Sequence, residues 1–253
     1  MARGRHFVTT DEVAELVGVA PSSVRQSLRR PNAAKQIVSV TNGAWVPVPP
    51  EYRAAGAPPP AHFIDPLMGF LGHPYYIGFL SAAAMHGASH QAAMVFQVAT
   101  PALLRDRVIG SARVQFISRS NVEARPVEEQ LVPTGRVNVS TPEVTVLDLV
   151  EAPQLGGGLS NVATVIAQLV EDEQLDPRAL ARQARDYSVA VAQRTGYLVG
   201  AMAESVDQQL DLTELEEHVR SGSAVPLATH RDRVGARDER WKVIVNVEIE
   251  PDL

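Results

Sequence analysis

Thr9-Thr10-Asp11-Glu12-Val13-Ala14-Glu15-Leu16-Val17-Gly18-Val19-Ala20-Pro21-Ser22-Ser23-Val24-Arg25-Gln26-Ser27-Leu28-Arg29-Arg30 is the stretch on which the reading of this sequence turns. Thr9 and Glu12 have capping-box spacing, in which the threonine hydroxyl accepts from the third helical amide and the glutamate reaches back. Val13, Leu16 and Val17 supply an apolar face, and Gly18 ends the helix. Pro21 then restarts one, since a first turn tolerates proline. Val24 and Leu28 are the large apolar residues of this second helix, and the rest is serine, glutamine and arginine. A short helix held by one narrow stripe, with such residues exposed, has the layout of a recognition helix entering a major groove. Arginine suits guanine there and glutamine suits adenine.

Working outward, Gln36–Val40 and Ala44–Val48 are β-rich runs around Asn42-Gly43, the strongest short hairpin signal. Residues 1–48 therefore read as a winged helix-turn-helix domain for duplex DNA. The residues expected to meet the DNA are Ser22, Ser23, Arg25, Gln26, Arg29, Arg30, Lys35 and Asn42. A helical hairpin used only for packing is the competing reading. Winged helices usually carry a helix before this pair, and only Met1–Val8 is available for it.

Residues 49–61 include Pro49-Pro50 and Pro58-Pro59-Pro60 and read as a stiff linker. Residues 62–253 read as a second, mixed α/β domain with strands early and helices late, so the fold class is α+β. Asp65-Pro66 opens a short helix, and Tyr75–Gly87 reads as a buried one. Met94–Ala99, Arg113–Ser118 and Arg136–Val139 alternate as strands do. Thr141-Pro142, Ser160 and Asp176-Pro177 mark helix starts, Tyr187–Val206 and Thr213–Arg220 read as two more, and Lys242–Glu248 reads as a final strand.

The chain has 253 residues and a net charge of −6. Residues 1–50 carry six basic and three acidic groups, so the excess of acid lies entirely downstream. A basic end on an acidic chain suits a DNA-binding module joined to a domain with another task. There is no cysteine, which excludes disulfides and thiolate metal sites. No apolar stretch has the length of a membrane span, and no signal-peptide core leads the chain, so a cytoplasmic protein without membrane attachment is expected. No phosphate loop or nucleophile elbow occurs, and Ser81 has the wrong surroundings for the latter. Gly156-Gly157-Gly158 reads as a flexible loop. His86 and His90 would lose a shared metal face at Gly87, so His86 is expected to meet the last carbonyls of its helix instead. Glu128-Glu129 and Glu216-Glu217 read as solvated faces. No catalytic residue, metal site or cofactor is expected, and the protein is not expected to be an enzyme.

Further stretches resemble the AbiEi-type antitoxins, the transcriptional-regulator halves of bacterial abortive-infection toxin–antitoxin pairs. They are Phe7–Ala14, Ser22–Arg25 and Gly43–Pro47, then Tyr75–Ala83 with His86-Gly87, Phe96–Pro101, Thr141–Leu149, Gly157-Gly158 and Gly196-Tyr197-Leu198. The resemblance implies an autorepressor whose winged helix binds inverted repeats in its own promoter, with room for a dimer on the DNA. It also implies that the C-terminal domain neutralises a cognate nucleotidyltransferase toxin, by direct contact or functionally. Arg105, Asp106, Arg107, Arg119 and Arg125 are the exposed candidates for that task. The alternative is a toxin-unrelated transcription factor with a ligand- or partner-sensing C-terminal domain.

Overall fold

The structure is a computed structural model that describes residues 6–88 and 95–252. His90, Arg3 and Arg5 lie outside the described residues, as does the first residue of the expected strand at Met94. The backbone divides into two compact units, Met1–Ile77 with Met94–Val139, and Gly78–Ala93 with Ser140–Leu253.

The first unit begins with β1 (Val8–Thr9) and α1 (Thr10–Val17). The Thr9 cap forms as its spacing predicts. The Glu12 amide donates to Thr9 Oγ1 at 3.3 Å, and the Thr9 amide donates to the Glu12 carboxylate at 2.8 Å. Gly18 closes the helix at φ 68°, a left-handed conformation that glycine adopts without strain. The inner face differs from expectation. Val13 and Ala14 are buried, whereas Leu16 and Val17 are 60% and 54% exposed. The inward direction lies between Val13 and Ala14, and Leu16 stands roughly 200° round the helix from Ala14.

The second helix is a broken one. A 3-10 turn over Pro21–Ser23 leads into α2 (Val24–Ser27), and α3 (Arg29–Ala33) follows after Leu28. Pro31 is the physical reason for the break, because it has no amide to offer the Ser27 carbonyl. The hairpin follows as β2 (Ile37–Thr41) and β3 (Ala44–Pro47), with Gly43 at φ 85° in its turn. β1 pairs with β3 (Val8↔Trp45, Thr9↔Ala44), giving the sheet order β1-β3-β2. Among the described residues, the element before α1 is the strand at Val8–Thr9. Val8, Val13, Ala14, Val24, Leu28 and Trp45 close one small core beneath these elements.

The proline segment hydrogen-bonds to its surroundings. Proline carbonyls and their neighbours still need donors. The Ser111 amide donates to the Ala55 carbonyl at 2.7 Å, and Thr134 Oγ1 donates to the His62 carbonyl at 2.7 Å. A Cβ on Gly110 would lie 2.5 Å from the Ala55 oxygen, so this approach requires glycine.

α4 (Ile64–Leu71) buries Ile64, Leu67 and Met68. The stretch expected as one helix from Tyr75 begins instead with a strand, β4 (Tyr76–Ile77). A short apolar run is ambiguous by period, and aromatic and β-branched residues favour the pleated surface. β4 pairs with β5 (Val95–Thr100) on one side and, in parallel, with β9 (Gly135–Ser140) on the other. β6 (Arg107–Ile109), β7 (Ala112–Ser118) and β8 (Val127–Val132) complete the order β6-β7-β5-β4-β9-β8. Tyr75 locks the sheet to α4, donating to Asp65 Oδ1 at 3.0 Å and accepting from the Asn138 amide. Burial, then the Asp65 charge, push its hydroxyl well above the usual tyrosine value.

In the second unit, Gly78 and Phe79 (φ 56°) turn the chain into α5 (Phe79–Met85). α6 (Pro142–Glu151) starts at the Thr141 cap and is buried from Pro142 to Val150, which marks a helix enclosed by others. The run buries two carboxylates, and both accept: Tyr187 donates to Asp148 at 2.7 Å, and the Asp176 amide donates to Glu143 at 3.0 Å. His86 does not meet its own helix's carbonyls. Its Nε2 faces the Ser140 carbonyl at 2.7 Å, and a carbonyl can only accept, so Nε2 carries the proton.

The three glycines after α6 form a fixed turn. Asn161 Nδ2 donates to the Gly156 carbonyl at 2.7 Å, Gly156 is buried, and Gly157 and Gly158 take positive φ. They launch α7 (Leu159–Glu171), followed by α8 (Pro177–Ala184) from the Asp176 cap, α9 (Val189–Ser205) from the Ser188 cap, and α10 (Thr213–Val219). A small sheet ends the unit, β10 (Val225–Pro226), β11 (Ala236–Asp238) and β12 (Val243–Val245), in the order β10-β12-β11. The expected terminal strand is present but shorter. Among the described residues no helix is long and apolar enough to cross a membrane.

Candidate nucleic-acid interface

Val24, fully buried, and Leu28 hold the broken helix from beneath, as the narrow stripe predicts. Their direction leaves Ser22, Arg25, Gln26, Arg29 and Arg30 exposed, with Ser23 partly covered. The hairpin presents Asn42 at its turn, also exposed. Arg25 joins the two elements, its Nη2 donating to Asn42 Oδ1 at 3.3 Å. A helix residue and a hairpin residue 17 positions apart therefore share one face.

An open concavity of about 510 Å³ lies on this face, lined by Ser22, Arg25, Gln26, Leu28, Arg29, Asn32 and Trp45. It contains two guanidinium groups, an amide pair and a hydroxyl, and no carboxylate. Such a set donates to acceptors, and arginine forks match phosphate or guanine edges in two-point geometry. Four of the eight expected residues meet here, and Asn42 is tied to them through Arg25. Ser23, Arg30 and Lys35 do not line the concavity. Lys35 is exposed at φ 50°, just past α3.

Three lining residues were not among those expected: Leu28, which the sequence placed in the buried stripe, Asn32 and Trp45. Asn32 stands three positions after Arg29, which is helical spacing, and the proline between them hid it. Trp45 is opposite Ser39 and Val8 in the hairpin sheet, a neighbourhood visible only once the strand register is known. It is 7% exposed, and its buried Nε1 has no hydrogen-bond partner among the described residues.

Among the residues expected to contact the toxin, Arg107 and Asp106 have partners within the first unit. Arg107 is half-buried, donates from Nη1 to the Val40 carbonyl at 2.7 Å, and covers the Phe116 ring at 5.9 Å. Burial holds its guanidinium below the usual arginine value. Asp106 accepts from Arg113 at 2.9 Å. Arg119 and Arg125 are half-buried, and Arg105 is exposed. Glu129 pairs with Arg136 and Glu216 with Arg240 at the surface, as solvated faces do.

The sequence family described as the AbiEi antitoxin C-terminal domain matches residues 76–201. That span runs from β4 into α9, and residues 1–75 lie outside it. The crystal structure of the RV2827C protein from Mycobacterium tuberculosis is similar, with a TM-score of 0.67 and 16% identity over 95% of this chain and 86% of that one. At that identity the likeness speaks for the fold, α and β elements with strands early and helices late. No curated protein matches the chain.

Proposed function

With residues 76–201 the chain is an AbiEi-type antitoxin, and from that premise we propose that it is a DNA-binding autorepressor that also neutralises a nucleotidyltransferase toxin. In this reading residues 1–48 are a winged helix-turn-helix. α2 and α3 lie in a major groove, and the hairpin turn reaches the neighbouring backbone. The toxin is opposed by the matched domain, and the DNA is the operon's own promoter, read as an inverted repeat by two copies.

The observation that carries the DNA-binding half is the Arg25–Asn42 bond. It brings the helix and hairpin candidates to one acid-free face with Gln26 and Arg29. The basic balance of residues 1–50 adds attraction for phosphate.

Gel shifts with the native promoter test it. The double variant Arg25→Ala, Arg29→Ala should lose about 1–3 kcal/mol for each base-reading arginine, roughly fivefold to 150-fold in affinity apiece. Unchanged affinity would mean that this helix is not the reader. Growth rescue against the neighbouring gene product tests the antitoxin half separately.

A further inference from the structure

Apart from the basic concavity, the second unit encloses a cavity of about 300 Å³ beside the glycine turn. Its walls include Val150, Leu159, Leu227 and Val247, and Arg194 of α9 enters among them. The Arg194 Nε donates to the Pro226 carbonyl at 2.8 Å, which pins the guanidinium to the wall. Four charged or titratable groups, Glu151, His230, Arg231 and Glu248, also border the cavity, and all four are exposed. At such exposure solvent screens their charges. The cation left within the wall is Arg194.

We infer that this cavity binds a small amphipathic anion, a carboxylate or phosphate head on a short apolar body. Apolar walls with a few polar groups at them are the usual make-up of a small-molecule site, and this volume suits a small ligand; here Arg194 is the half-buried cation among the lining residues. Burial holds the Arg194 guanidinium below its usual value, the condition under which an incoming anion gains most. Gly158 brings no side chain to cap the first turn of α7, so amides there add positive partial charge. The residues of this site all belong to the second unit.

Calorimetric titration of the full chain with hexanoate, hexyl phosphate and uncharged methyl hexanoate tests the inference. Saturable binding of one or both anions is expected, with the preferred head identifying the natural class. Arg194→Met should weaken it at least tenfold, and Arg194→Lys, which keeps the charge, should weaken it less. If Arg194→Met fails to fold, the Lys variant and the ester comparison still decide. Methyl hexanoate binding as well as the anions, no saturable binding of either anion, or unchanged affinity in the Arg194 variants overturns it.

Discussion

Trp45 sits in the N-terminal hairpin at 7% exposure over a core of a few small side chains, whereas Trp241, at 3%, lies flat against the backbone of α9. A Cβ on Gly196 would fall 2.2 Å from the Trp241 ring, so the helix surrenders a side chain to admit the indole. The Trp241 amide donates to Asp238 at 2.7 Å, and its carbonyl accepts from the buried Gln193 at 3.1 Å. Trp45 has a buried N–H with no such partner and borders the exposed concavity. One tryptophan seals a helix. The other closes a thin core whose outer face is left for contact. Large interlocking surfaces accumulate stability, and surfaces kept open for a ligand forgo it.

The comparison breaks first at Trp241. Trp241→Ala should cost about 3–5 kcal/mol in urea unfolding, the range for a buried large aromatic. A loss under about 1 kcal/mol would mean that the tail rests on α9 without supporting it.

Gly43→Val should be milder and confined to the first unit. A side chain at φ 85° costs about 1–2 kcal/mol, and the new Cβ would touch the Phe70 ring at 3.4 Å. Hydrogen exchange should quicken in β2 and β3 while α9 stays protected. Equal quickening in both would erase the contrast between the regions.

Trp45→Phe sharpens the contrast from the other side. It loses volume but removes a buried donor without a partner, so the net change should stay within about 1 kcal/mol. A larger loss in thermal unfolding would show that the indole N–H has an acceptor in solution.

The smallest effect concerns pH. Burial, then the His6 charge, lower the His62 pKa below its ordinary 6.5. The folded protein therefore resists a proton that the unfolded chain accepts, and stability falls as pH drops below 6.5 toward the folded value. His62→Gln should flatten that fall in melting curves taken on both sides of 6.5. An unchanged slope would place the pH response elsewhere.

Much of the candidate interface was legible because its signals are local. The Thr9–Glu12 cap, Gly18, the Val24 and Leu28 anchors and the Asn42-Gly43 turn each act within a few residues. The break at Leu28 was equally local, through Pro31, yet a continuous helix was the simpler reading. Leu16 and Val17 misled because a pattern of apolar residues states that a face exists, not where its neighbours lie. β4, β6 and β8 were missed for a related reason, since a strand of a few residues gains its identity from the strands beside it.

Residue order alone settled the caps, the turns, the absence of cysteine and the mixed α and β content, since these depend on backbone chemistry within one turn. Tertiary structure decided that Trp45 and Asn32 border the basic concavity and that Trp241 replaces a side chain on Gly196. It also decided that Arg107 clamps the Val40 carbonyl instead of standing free. Such contacts join residues far apart in the chain. Their energies depend on burial and register, and neither exists until the chain has closed upon itself.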